Sequence, residues 1–267
     1  MIPLDDRGLL LGDGLFETLL ARDGALMLFD EHLALMVEGC AVLGLPPPDG
    51  AAALALCRAA LAEAGLENAR AAVRLTLTAG SGGRGLDRPT TPRPRLLATA
   101  APAPPPGEPT DLVTVSVRRN EGSPASRLKT LAYVDNVLAR RQAAPAEALM
   151  LNNAGEVACA AAANIFWLEG GRLLTPHPDA GARPGVMRGQ AMAAAGDLGL
   201  VVRQVLAPRE ALSSAEGLFL TNSLTGVRPV VRLDGVTLPV PSVVEDLMRR
   251  LEHFPISVKR LSDRKML

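Results

Sequence analysis

The 267-residue chain is 48% hydrophobic and carries 28 basic and 28 acidic residues, enough apolar material for a sizeable core and no net charge to draw it to nucleic acid or an acidic membrane. Three scattered cysteines, Cys40, Cys57 and Cys159, argue against a disulfide framework or a C-x-x-C metal site and fit a reducing cytoplasm. The start, MIPLDDRGLL, has acids where a secretion signal has basic residues, and no apolar run reaches membrane-spanning length.

Residues 9–20 read as a turn with Gly12 and Gly14 entering a strand, FETLL, and ARDGALML continues it as a hairpin turning at Asp23-Gly24. Asp30 suits the cap of a helix containing HLALMVEGCAVLGL, and residues 51–64 form a second helix of high propensity. The strand AVRLTLT runs into the loop AGSGGRGLDRP, and RPRLLATA is a further strand. Prolines over residues 101–109 mark the best domain boundary, because they favour an extended, stiff connector. The expected division is residues 1–103, a linker at 104–110, a larger domain at 111–252 and a basic tail at 253–267.

Beyond the linker, LVTVSVRR reads as a strand and residues 130–142 as a helix. EALMLN and ANIFWLEGGRLLTP follow as strands, then the helix GVMRGQAMAAAGDLG. VVRQVL, GLFLTNS and VRPVVRLDG are strands, and residues 242–251 are the last helix. Strands and helices mix without strict alternation, so the expected class is α+β in two domains.

Four stretches can carry chemistry. Lys129, in ASRLKTLAYVDN, sits among Leu128, Leu131 and Tyr133. Apolar surroundings disfavour the charged amine and can make a lysine a nucleophile or a Schiff-base former, although the same stretch suits a lysine that snorkels to solvent. AGSGGRG offers free N–H groups around Arg84, which could clamp a carboxylate in two-pronged fashion or be part of a plain hairpin loop. Gly185, opening a helix in GVMRG, and Ser223, following a strand in TNSLTG, are loops of the kind that cradle phosphate, and equally common turn chemistry.

Taken in order, DRGLLLGDGLFET, GSGGRG, LKTLAYVDNVLARRQA, GEVACAAAANIFW, PGVMRG and LTNSLTGVRPV resemble the class IV aminotransferases, from about residue 5 to about residue 235. GSGGRG, the AAANIFW ending and NSL are most similar to the aminodeoxychorismate lyases of that family. The resemblance implies a two-domain, fold type IV pyridoxal-phosphate enzyme, D-amino-acid aminotransferase-like, with pyridoxal 5'-phosphate as cofactor. It implies an amino-acid-like substrate and a cytoplasmic homodimer. The implied reaction releases 4-aminobenzoate and pyruvate for folate synthesis. The alternatives are a transaminase of D- or branched-chain amino acids and a catalytically silent relative.

By the same resemblance Lys129 falls at the Schiff-base lysine and moves the proton at the substrate's Cα. Tyr133 falls beside the cofactor's phenolic oxygen. Val186, Met187, Ser223 and Leu224 fall in the phosphate cup, Arg84 in the substrate-carboxylate loop, and Thr18 where it could assist the leaving group. The small residues after Val157 would keep bulk away from the cofactor, or pack tightly against a helix. Three positions depart from the family pattern. Cys159 stands where a carboxylate usually keeps the pyridine nitrogen protonated, and a neutral thiol does this poorly. Leu35 stands where an arginine usually meets the phosphate, a loss worth roughly 1.5–3 kcal/mol, with Arg188 as a conceivable substitute. Ala132 stands where an asparagine is common.

Overall fold

In a computed structural model, residues 2–253 and 258–260 are described. They divide into two compact units, residues 2–103 with Leu128–Ala132 and 258–260, and residues 104–127 with 133–253. The break after Ala103 lies in the proline-rich stretch. The return of Leu128–Ala132 to the first unit was not legible, because it depends on pairing across more than a hundred residues.

The N-terminal unit opens with α1 (Arg7–Leu11), capped by Asp6, whose carboxylate accepts from the Gly8 N–H. The long strand β1 (Gly14–Arg22) and β2 (Ala25–Met27) follow. Asp23 and Gly24 between them both take positive φ (53° and 70°), the geometry of a type I′ hairpin. Helix α2 spans Phe29–Leu43. Asp30 lies in its first turn, not at its cap, because the chain enters through Leu28 in the left-handed region. Helix α3 (Gly50–Glu63) is capped by Asp49. Strands β3 (Ala71–Thr78) and β4 (Arg95–Pro102) complete the antiparallel order β2-β1-β3-β4.

Alternation then decides what each sheet face does. Leu15, Leu19, Val73, Leu75 and Leu77 pack with Phe29, Met36, Cys40 and Leu61 in one core under the two helices. Phe16 and Thr18, opposite Thr76 and Arg74 in the β1–β3 register, occupy the other face.

The second unit runs through β5 (Thr110–Thr114), α4 (Val134–Ala143), β6 (Glu147–Leu151), β7 (Val157–Ala160), β8 (Asn164–Glu169), β9 (Arg172–Pro176), α5 (Val186–Asp197), β10 (Val201–Val205), β11 (Gly217–Asn222), β12 (Gly226–Leu233), β13 (Val236–Thr237) and α6 (Ser242–His253). Its sheet has the order β10-β9-β8-β11-β12-β5-β6-β7, with β13 on β12. The sheet curls back on itself. The Val157 N–H, at the β7 edge, donates to the carbonyl of Ala207 just beyond β10 at 2.8 Å. Phe166 and Phe219 stack 4.9 Å apart, and Trp167 is fully buried beside them in sequence. Both units mix helices with largely antiparallel sheets, as expected of the α+β class.

The helix expected over residues 130–142 begins only at Val134. The Phe16 N–H donates to Lys129 O (2.8 Å) and the Leu131 N–H to Gly14 O (3.0 Å), so the lysine segment is held along β1 instead. Strand β14 (Val258–Arg260), within the expected basic tail, pairs antiparallel with β2. Residues 254–257 and 261–267 lie outside the described residues. Among the described residues no helix is long and apolar enough to cross a membrane, and no group of side chains could hold a metal ion.

Candidate active site

In the N-terminal unit, Lys129 is half-buried, with Nζ 5.2 Å from the centre of the Phe16 ring. The guanidinium of Arg74 lies 3.6 Å from the same ring. Thr18 is half-buried and pairs in register with Arg74. Lys129, Thr18 and Arg74 therefore share the sheet face that the helices leave open. Arg74 escaped the sequence reading. Its signal was the alternation of AVRLTLT, which puts one cation among threonines on a single face.

Arg84 is exposed in the glycine-rich loop after β3. The glycines there answer a packing need: a Cβ on Gly80 would meet Arg93 O at 2.0 Å, and one on Gly83 would meet Asp87 O at 2.2 Å. The loop is pinned by Arg7, which sequence reasoning also missed. Arg7 is 4% exposed. It donates to Leu86 O and Asp87 O (both 2.9 Å) and to Gly85 O (3.4 Å), while its Nε meets Asp13 at 2.9 Å. Arg88 closes on the same carboxylate. Hydrogen bonding from Arg88 holds the Asp13 carboxyl below the usual carboxylate range, with burial opposing and Arg7 adding to the effect.

In the C-terminal unit, two loops meet through Asn164. Its side chain donates to Arg183 O at 2.8 Å, and Asn164 pairs with Thr221 where β8 and β11 run together. A Cβ on Gly185 would stand 2.4 Å from the Asn164 Oδ1, so any other residue at that helix entry would have to displace this amide. Gly185 caps α5 without any side-chain cap, leaving the N–H groups of Val186 and Met187 in the first turn free of intrahelical partners. Ser223 and Leu224, half-buried, follow Asn222, whose Oδ1 accepts from the N–H groups of Leu224 (3.0 Å) and Thr225 (2.8 Å) and shapes the turn. The expected phosphate-cup residues are thus gathered at one end of the sheet.

Among the described residues, the buried Thr221 Oγ1 and Arg188 Nε have no hydrogen-bond partner. Arg188, 5% exposed, turns one nitrogen to Pro176 O (2.9 Å) and Gln204 Oε1 (2.8 Å), and burial pushes its pKa down.

Cys159 lies in β7. The register passes from Met150↔Cys159 to Leu151↔Val157, so Ala158 is the extra residue of a bulge. Ala158, Cys159 and Ala161 consequently pack together with Val115, Met150 and the α4 residues Ala139 and Ala143. The small-residue run is not one strand, because Ala160–Ala163 forms a tight turn closed by the Ala160 N–H to Ala163 O at 2.9 Å. Packing in one core cluster with two α4 alanines suits the lack of bulk. Burial pushes the Cys159 thiol up, the Arg119 charge pulls it back in part, and Glu147 adds to the rise. Tyr133, half-buried, stands at the N-terminus of α4. Leu35 is half-buried in α2 and Ala132 is exposed.

A model of the family described as amino-transferase class IV matches residues 14–233. The chain is 32% identical to a putative branched-chain-amino-acid aminotransferase of Methanocaldococcus jannaschii, over 95% of this chain and 90% of that protein. It is 28% identical to the aminodeoxychorismate lyase of Bacillus subtilis, over 86% of this chain and 81% of that one. Among solved structures it matches the 4-amino-4-deoxychorismate lyase of Pseudomonas aeruginosa with a TM-score of 0.83 and 31% identity, covering 96% of each chain.

Proposed function

Because the chain belongs to the amino-transferase class IV family, and so is a pyridoxal-phosphate-dependent enzyme, we propose that it acts as a lyase on aminodeoxychorismate, yielding 4-aminobenzoate and pyruvate. The carrying observation is Cys159, a buried thiol whose pKa burial raises. When bound, the cofactor supplies an aldehyde that captures the substrate amine and a ring that spreads carbanion charge. By the resemblance Cys159 would stand on the pyridine-nitrogen side of the bound cofactor, where a neutral thiol would leave the ring a weak sink. Transamination forms a carbanion in both half-reactions, whereas the lyase reaction gains driving force from aromatisation of its product.

The other residues suit this assignment. The uncapped N–H groups of Val186 and Met187, with Ser223 and Leu224, would bind the phosphate through backbone dipoles and a hydroxyl. The orphaned Thr221 Oγ1 and Arg188 Nε fit a site that expects an anion. Tyr133 would orient the ring through its phenolic oxygen. Lys129 would take the proton from the amine-bearing carbon, with Thr18 on the leaving oxygen. Arg84, joined by Arg74 on the Lys129 face, would hold a substrate carboxylate. The second reading, a transaminase, draws on the 32% identity to the putative branched-chain-amino-acid aminotransferase. We further infer a homodimer acting in the cytoplasm, with the product entering folate synthesis.

Titration with pyridoxal phosphate should raise a long-wavelength absorbance band that Lys129→Ala loses, with activity falling at least about a thousandfold. Aminodeoxychorismate should then give 4-aminobenzoate and pyruvate without an acceptor keto acid. Product formation only when an amino donor and a keto acid are both present would establish the transaminase instead.

A further inference from the structure

Arg119 is 8% exposed in the C-terminal unit. Its hydrogen bonds go to neutral acceptors: Asn136 Oδ1 at 3.2 Å, Gly181 O at 3.4 Å and the carbonyl of Ser126. Among the described residues no carboxylate lies within ion-pairing distance of it. A cation removed from water without a counter-ion is costly, and proteins bury one where an anion or an electrostatic task awaits it.

The geometry directs this charge to one place. Asn136, which accepts from Arg119, donates its own amide to Ala161 O at 2.7 Å, two residues beyond Cys159. Asn136 is itself buried. The guanidinium is thereby fixed through one amide to the turn that follows the thiol. The charges of Arg119 and Glu147 both act on Cys159, with opposite signs. Glu147 accepts from the N–H of Ala148 at 3.0 Å. It stands on the alternate face of β6 with Leu149 and Leu151, which belong to a different core cluster from Cys159.

We propose that Arg119 is the charge governing the ring-nitrogen side of the cofactor site, so that the bound ring keeps its pyridine nitrogen unprotonated. The inference rests on the reading above, in which position 159 faces that nitrogen. A carboxylate there would stabilise a protonated nitrogen. A neutral thiol backed by a buried guanidinium disfavours one, because two positive charges would then share a low-dielectric site. The arrangement biases the enzyme toward a reaction that needs little carbanion delocalisation and away from reversible amino exchange. Arg119 acts here as a positioning and tuning residue, with no contact to the reacting atoms.

The first test needs no cofactor. In the full-length apo-protein, Cys159→Glu puts a carboxylate beside an unpaired cation and should be tolerated. In an Arg119→Met background the same glutamate is buried alone and should lower the melting temperature by several degrees more. Equal losses in both backgrounds would remove Arg119 from the argument. The second test uses the holoenzyme with ¹⁵N-labelled pyridoxal phosphate. The pyridine nitrogen resonance should sit in the unprotonated range and stay there from pH 6 to 8, while Cys159→Glu should move it to the protonated range. A protonated resonance in the unmodified enzyme overturns this inference and leaves the lyase reading standing. Absence of a lysine-linked absorbance band overturns both.

Discussion

The two units treat buried charge in opposite ways. In the N-terminal unit the buried charged groups are paired: Asp6 with Arg95 at 3.3 Å, Arg7 with Asp13 at 2.9 Å, and Glu17 with His32 at 2.8 Å. In the C-terminal unit Arg119, Glu147 and Arg188 are buried and, among the described residues, none makes an ion pair. A paired buried charge has its electrostatic needs met inside the fold, and its role is to hold loops in place. An unpaired buried cation keeps its field for something else. Both unpaired arginines lie near elements proposed to hold the cofactor, Arg188 in the first turn of α5 and Arg119 one amide away from Ala161, just past β7.

Breaking a pair should therefore hurt folding, and removing a lone cation should hurt binding. Arg7→Met removes the donor to three loop carbonyls and one of two arginines on Asp13, and should destabilise the protein by about 3 kcal/mol, read from urea unfolding. It should also loosen the glycine-rich loop, visible as faster amide exchange around Gly85. Arg188→Met should leave apo-protein stability within about 1 kcal/mol, since relief of an unpaired buried charge offsets the loss of its hydrogen bonds to Pro176 and Gln204. It should weaken binding of pyridoxal phosphate about fivefold, the scale of one cation's effect at a helix terminus. If Arg188→Met instead costs as much stability as Arg7→Met, the contrast between the units is lost.

How far this was legible in the sequence follows the range of each interaction. The Asp23-Gly24 hairpin, α3 and α5 rest on local turn chemistry and propensity, and they stand close to where those signals put them. The turns at Gly185 and Asn222 were legible for the same reason, and their role as a phosphate cup is a proposal. The lysine segment was not, because its extended form comes from β1, more than a hundred residues away. Arg7, Asp13 and Arg88 look like surface charges in the sequence, and only the fold shows that they converge on one loop. The alanine run was legible as a demand for small side chains. Its division into a bulged strand and a tight turn was not, since register shifts leave no compositional trace. Arg119, one of two adjacent arginines, carries no sequence signal of burial.

Acid sharpens the contrast with the smallest effect. Only a pair that contains a carboxylate can be undone by protonation. Asp13 has its pKa lowered in the folded state, chiefly by hydrogen bonding from Arg88. A lowered folded pKa contributes stability that is complete above the unfolded value, 3.8, and is lost as pH falls through the folded one. The loss belongs below about pH 4, where the Arg7–Asp13–Arg88 group comes apart. Among the described residues, Arg119 and Arg188 have no carboxylate partner to protonate, so this route is closed to them. Asp13→Asn should accordingly be less stable than the unmodified protein at pH 7, with the gap narrowing as pH falls from 4 to 2.5. Urea midpoints measured across that range decide it. A gap that stays constant would mean that Asp13 holds the loop by shape and hydrogen bonding alone, and that charge pairing is not what distinguishes the first unit from the second.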